Sequence, residues 1–169
     1  MRKNWKTAAT AVAAAAALTG AAGAGVAQAA PATGGAAPSA CRPANHIAKI
    51  HQGPASSGHS HYRVTLTAPR GYASCRLAGS PTDVRFSDHG KQLRLAVGRY
   101  GDQRTAVTFG PGHPVHFDIQ VPNSGHGLTA DGASFTLRAP GGQIPGTSVA
   151  QGTLKVAAGT VVGPVQRGA

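Results

Sequence analysis

The stretch VHFDIQV, residues 115–121, decides the fold class of this 169-residue chain. Val115, Phe117, Ile119 and Val121 are apolar, and the residues between them are more polar. Because successive side chains of an extended strand point to opposite faces, this alternation predicts a β-strand with one buried face and one exposed face.

Shorter runs of β-character lie on both sides of this stretch, separated by turn signals. Asp-His-Gly-Lys at residues 88–91 is typical of a hairpin turn. After the N-terminal region, no segment longer than ten residues has helical periodicity free of glycine and proline. We therefore predict an all-β domain, a two-sheet antiparallel sandwich of the immunoglobulin-like kind. The other predicted strands are residues 61–67, 75–77, 83–87, 92–98, 107–109, 135–137 and 154–156.

Residues 1–29 predict a cleavable secretory signal peptide. Three basic residues precede an alanine-rich apolar stretch, residues 7–18, and the small-residue tripeptide Ala-Gln-Ala ends at residue 29. The alternative is a membrane anchor, but this stretch of 12 residues is shorter than the roughly 20 needed to span a bilayer. We expect a protein that does not span the membrane and is secreted, either free outside the cell or associated with the cell wall.

The rest of the chain is short enough for one domain. Residues 30–40, APATGGAAPSA, have the composition of a flexible linker. We expect the β-sandwich domain to occupy residues 41–165 and a short C-terminal tail to follow at residues 166–169.

The chain has two cysteines, Cys41 and Cys75. In an oxidising compartment an even number of cysteines most simply forms disulfides, so we predict one bridge between them. The alternatives are a metal-binding or a catalytic thiol pair. Neither cysteine belongs to a C-x-x-C motif, which favours the structural disulfide.

The sequence around Cys75 also carries a family resemblance. SCRLAGSP at residues 74–81, VRFSD at 84–88 and VTFGPG at 107–112 resemble the domain of unknown function 4232 family of exported actinobacterial proteins. Its members typically carry a Cys-x-Leu-x-Gly-x-Pro segment, and Cys41 stands where the family has its first cysteine. The resemblance implies a secreted β-sandwich with an early disulfide. It implies no established activity and no catalytic residues.

An excess of basic residues is the clearest hint of a binding partner. The chain has 16 Lys and Arg against 5 acidic residues, all of them Asp, and about +8 of its +11 charge remains without the signal peptide. A basic sheet face outside the cell would attract anionic wall polymers, phospholipid head groups or DNA non-specifically. The plainer interpretation is that the charge only keeps the domain soluble. Five basic residues within twenty positions are the candidate binding face: Arg85, Lys91, Arg94, Arg99 and Arg104.

The histidines suggest an alternative, an extracellular metal-binding module. His59 and His61 are two residues apart, so a strand would present both from one face. Such a pair could bind Zn or Cu, with His46 or His51 as a third ligand. The plainer interpretation is that they are incidental histidines of a solvated loop.

An enzyme is the least favoured class. The chain has no Glu and no G-x-S-x-G nucleophile motif, and most of its Asp residues lie beside predicted turns. It also has no recognisable nucleic-acid-binding module and few aromatic residues. We predict no catalytic residues, no cofactor and no specific binding of nucleic acid. The sequence does not indicate an oligomeric state.

Overall fold

The computed structural model describes residues 35–124 and 126–169. The predicted signal peptide, residues 1–29, and the first part of the predicted linker, residues 30–34, lie outside these residues. Within them the chain forms one short 3₁₀ helix, Pro43–Asn45, and 14 strands, so the all-β prediction is confirmed. The strands are β1 (Ile47–Gln52), β2 (His59–Thr67), β3 (Cys75–Ala78), β4 (Thr82–Asp88), β5 (Lys91–Gln92), β6 (Gly98–Arg99), β7 (Ala106–Phe109), β8 (Val115–Pro122), β9 (Leu128–Thr136), β10 (Arg138–Ala139), β11 (Gly142–Gln143), β12 (Ser148–Val156), β13 (Val161–Val162) and β14 (Gln166–Arg167).

Ten strands form one large sheet in the order β5-β4-β9-β12-β1-β2-β8-β13-β6, with β14 paired to β8. The VHFDIQV stretch lies in β8, which pairs with β2 from Leu66–Val115 to His59–Pro122. Two small ribbons complete the described part of the chain, β3–β7 and β10–β11.

The large sheet is mixed, so the antiparallel part of the fold prediction is wrong. β1 pairs with β12 in parallel, with Ala48 beside Ala150, and β13 pairs with β6 in parallel. Side chains alternate in the same way whether the neighbouring strand runs parallel or antiparallel. The sequence alternation therefore carried no information about strand direction.

The sheet curls, and the connection from β5 to β6 explains why. These strands lie at opposite ends of the sheet order, and a flat sheet would separate them by about 38 Å at the usual strand spacing. Residues 93–97 join them and can span at most about 21 Å. The two edges must therefore approach each other. The strand predicted over residues 92–98 is wrong for this reason, because its middle crosses from one edge to the other.

One buried cluster fills the inner side of the sheet and includes the β3–β7 ribbon. Phe117 of β8 and Phe135 of β9 meet edge to face, with ring centroids 5.0 Å apart. Leu77 and Phe109 of the ribbon belong to the same cluster. The ribbon therefore packs against the core formed by the large sheet.

Three of the longer strands have only weak sequence signals. β1 was not predicted, and β9 and β12 were predicted only at their C-terminal ends. β9 presents small residues to the core, including Ala130 and Ala133. β12 contains a bulge at Gly152, where φ is +147° and a Cβ would collide with the carbonyl oxygen of Ile50. Small inward side chains and a bulge both blur the period-2 pattern.

Both ends of the predicted domain extend further than expected. Ala40, assigned to the linker, is buried, and its N–H donates to the carbonyl oxygen of Ala73 at 2.9 Å. Gln166–Arg167, assigned to the C-terminal tail, forms β14 and pairs with β8. Residues 40 and 166–167 are therefore part of the folded domain.

The predicted disulfide between Cys41 and Cys75 is present, with a Cα–Cα distance of 6.0 Å. It joins the segment before the 3₁₀ helix to β3. No helix in the described part of the chain is long and apolar enough to cross a membrane.

Candidate basic binding surface

The structure brings three of the five predicted basic residues together at β4. Arg85 and Arg94 line a cavity of about 420 Å³. Arg99 lines a neighbouring cavity of about 320 Å³ between β4, β6 and β13. Asp83 and Val84 line both cavities, which we call together the β4 groove.

The other two predicted residues lie outside this groove. Lys91 is exposed at the β4–β5 hairpin turn, where its backbone lies opposite that of Asp88 in the strand pairing. Arg104 lies in a turn in which the Asp102 carboxylate accepts the N–H groups of Arg104 and Thr105 at 2.8 and 3.1 Å. Of the five predicted residues, Arg85, Arg94 and Arg99 therefore line the β4 groove.

A bulge in β4 shapes the groove. The pairing of β4 with β9 shifts register between Thr82 and Arg85, and Asp83 adopts a left-handed φ of 52°. The Gln143 side-chain amide donates to Thr82 Oγ1 at 2.7 Å and to Asp83 Oδ2 at 3.1 Å. A bulge re-aims the side chains that follow it. Here it leaves Arg85 exposed beside a carboxylate that is held by Gln143.

The basic charge of the surface is almost uncompensated. Residues 35–124 and 126–169 contain thirteen Lys and Arg but only one ion pair between such a side chain and a carboxylate, Arg63–Asp118 at 3.2 Å. Several Asp residues are engaged in turns instead: hydrogen bonds from Thr105 and the local backbone lower the pKa of Asp102, and Asp131 accepts the His89 N–H at 2.9 Å. The groove arginines therefore present their charge to solvent.

The histidine pair of the alternative hypothesis is close in space. The rings of His59 and His61 have centroids 6.5 Å apart, and His61 Nε2 lies 2.6 Å from Ser56 Oγ. His51 pairs with Arg63, two residues from His61, which places it roughly 7–8 Å away diagonally. His46 lies beyond the Ile47–Thr67 pair, roughly 20 Å along the sheet, and cannot join them.

A different group of possible metal ligands meets at the β4–β5 hairpin. Ligand atoms of Asp88, His89 and Asp131 lie within 4.8 Å of one another. Sequence reasoning missed this group because Asp131 comes from β9. His89 and Gly90 both have positive φ, as a type I′ turn requires, and His89 is hydrogen-bonded to both carboxylates. The turn itself therefore accounts for the arrangement.

His46 has a structural role. Its Nδ1–H donates to the carbonyl oxygen of Ala40 at 2.9 Å, and its Nε2 accepts from Ser148 Oγ at 3.0 Å. Burial lowers the pKa of His46 below its ordinary value of 6.5. The neutral ring thus connects the start of the domain to β12.

We expect this histidine to make the fold sensitive to acid. Because the pKa of His46 is lower in the folded than in the unfolded chain, its stabilising effect is complete above 6.5 and is lost as the pH falls below that value. Urea unfolding at about pH 7.5 and about pH 5 should show a larger loss of stability for the wild type than for His46→Gln. The exposed His113→Gln is the matched control, and an equal loss in all three proteins would contradict the assignment.

The fold and the site define a disulfide-closed, mixed-sheet β domain with a basic groove at the bulged strand β4. Residues 41–166 match the family model described as "Domain of unknown function (DUF4232)", and the chain belongs to this family. The resemblance seen around Cys75 is thereby confirmed. The comparisons find no match among curated proteins and none among solved structures.

Proposed function

We propose that this chain is an exported, non-enzymatic domain that binds anionic polymers of the cell envelope or the extracellular medium through the β4 groove. The observation that carries the proposal is the convergence of Arg85, Arg94 and Arg99 on two adjacent cavities, without an ion-pair partner for any of them among the described residues. Guanidinium groups match phosphate and carboxylate oxygens through paired hydrogen bonds.

A polymer suits this groove better than a small anion. The groove consists of two open cavities side by side, so neighbouring charges of one chain could occupy both. Each exposed contact contributes little alone, and several on one polymer add through their high effective concentration. The Asp83 carboxylate at the boundary between the cavities would favour a polymer with spaced rather than continuous charge.

Export is part of the proposal and rests on two features. The N-terminal pattern of residues 1–29 is typical of a signal peptide. The Cys41–Cys75 disulfide is typical of proteins in oxidising compartments outside the cytoplasm.

We also propose that the fold is a modified immunoglobulin-like sandwich. The curled sheet would supply one layer and the β3–β7 ribbon the core of the other. Leu77 and Phe109 of the ribbon share the buried cluster with the inner residues of the large sheet, which supports two facing layers.

Retention on isolated cell walls tests the proposed function. We expect the chain to bind at about 0.05 M NaCl and to be released at about 1 M, where the screening length falls to about 3 Å. Walls stripped of their anionic polymers serve as the control and should retain little protein. Full retention at the high salt concentration, or none at the low one, would contradict the proposal.

The metal-binding module remains the second candidate. It is supported by His59 and His61 on one face of β2, with His51 diagonally opposite. Calorimetry with Zn²⁺ or Cu²⁺ would show uptake below about 100 μM if these imidazoles form a site. Unchanged uptake by His59→Gln/His61→Gln would place any bound metal elsewhere.

A further inference from the structure

A third cavity, of about 430 Å³, lies between the disulfide and the β10–β11 ribbon. We propose that this disulfide pocket binds a small amphipathic carboxylate, a single-chain fatty acid of about ten carbons, with its chain inside and its carboxylate on two arginines. The site is separate from the β4 groove and independent of the function proposed for that groove.

The walls of the pocket are apolar and come from distant parts of the sequence. The disulfide covers one side, and the segment that contains the β10–β11 ribbon covers the other. Two backbone interactions hold this segment in place. Arg138 pairs with Gln143 in the ribbon, and the Ile144 N–H donates to the Leu137 carbonyl oxygen at 2.8 Å. A cavity with such walls is preformed and suits a hydrocarbon chain. The apolar lining residues are Cys41, Cys75, Ala139, Pro140, Ile144 and Pro145.

The charged lining of the pocket is entirely basic. Arg42 and Arg76 line it, both are exposed, and neither forms an ion pair with a described residue. Each directly follows a cysteine of the disulfide, whose Cα atoms are 6.0 Å apart, and both arginines line the same pocket. A carboxylate between them would accept charge-assisted hydrogen bonds from both.

A hydroxyl group adds a third polar contact. Ser39 also lines the pocket, and its Oγ accepts the Cys41 N–H at 3.2 Å. Its own proton is therefore free to be donated to a ligand oxygen. Two guanidinium groups and one donor hydroxyl around an apolar cavity favour an anionic head over a neutral or cationic one.

The size of the cavity limits the ligand. About 430 Å³ lies near the lower end of the range for small-molecule pockets. One short acyl chain suits this volume, whereas the two long chains of a membrane phospholipid would exceed it. The proposed ligand is therefore a free single-chain carboxylate rather than a lipid within a bilayer.

Titration of the full chain with decanoate, followed by calorimetry and by amide chemical shifts, tests this inference. We expect saturable binding with shifts concentrated around Ala139 and Ile144, and markedly weaker binding of decanol and of hexanoate. Arg42→Gln/Arg76→Gln should weaken decanoate binding by roughly tenfold or more, whereas Arg70→Gln/Arg167→Gln, the matched control, should not.

A second variant tests the apolar part without changing the charge. Ala139→Leu should fill the pocket and reduce decanoate binding while leaving wall retention unchanged. Substitutions of the β4 groove arginines should instead reduce wall retention and leave decanoate binding unchanged. The two proposals can therefore be refuted independently. Equal affinity for decanoate and decanol, shifts spread over the whole surface, or unchanged binding by Arg42→Gln/Arg76→Gln would overturn the inference.

Discussion

Replacing Phe117 with alanine is expected to lower the free energy of unfolding by about 3–5 kcal/mol. Phe117 is fully buried in β8, opposite Val64 of β2, and its ring meets that of Phe135 edge to face. The substitution removes this contact and leaves a cavity that the surrounding strands can only partly close. Urea unfolding measures the loss.

A matched control lies on the same strand. Gln120→Ala changes a half-buried side chain of β8 whose neighbours Ile119 and Val121 are buried, and it should cost less than about 1 kcal/mol. A similar loss for both variants would contradict the assignment of β8 as a strand with one core face and one outer face.

Removal of the disulfide is expected to destabilise the domain by about 3–4 kcal/mol. The bridge closes a loop with a sequence separation of 34 residues, and opening it restores conformational freedom to the unfolded chain. Thermal or urea unfolding of Cys41→Ala/Cys75→Ala measures the effect.

Reduction of the wild type supplies the control for this variant. A thiol reductant should lower the stability of the wild type to a similar degree and should leave the double variant unchanged. If the wild type keeps its full stability after its bridge is shown to be reduced, the disulfide is not a main support of the fold.

The sequence predicted the strands whose inward residues are large. β2 and β8 place Tyr62, Val64, Phe117 and Ile119 on the inner face, and their period-2 pattern is unambiguous. β9 uses Ala130 and Ala133 where it crosses the core, so apolar alternation was too weak to detect. The hairpin turn at residues 88–91 was predictable because its residue types suit positive φ.

The curl of the sheet and its parallel pairings could not be predicted, because both depend on contacts between distant segments. Ala48 and Ala150 are brought together by the folded sheet alone. The crossing of residues 93–97 between the edges follows from that same closure. This crossing also brings Arg94 to the cavity that Arg85 lines, next to the cavity that Arg99 lines.

The basic groove was therefore only partly visible in the sequence. The density of arginines between residues 85 and 104 indicated the right region, but Arg104 lies in the turn held by Asp102 and does not line the groove. The disulfide pocket was missed, although a signal for it exists. Both cysteines are followed by arginine, Cys41-Arg42 and Cys75-Arg76, and both arginines line the pocket beside the bridge.

The most direct test of the central claim is the salt dependence of binding to a purified polyphosphodiester wall polymer. The plot of log K against log [NaCl] should be less steep, by about 2 to 3, for Arg85→Gln/Arg94→Gln/Arg99→Gln than for the wild type, because three fewer polymer charges are neutralised. The triple variant Arg70→Gln/Arg104→Gln/Arg167→Gln removes the same charge outside the β4 groove and should keep nearly the wild-type slope. Equal slopes for the two triple variants would show that binding depends on net charge alone and would contradict the β4 groove as the binding site.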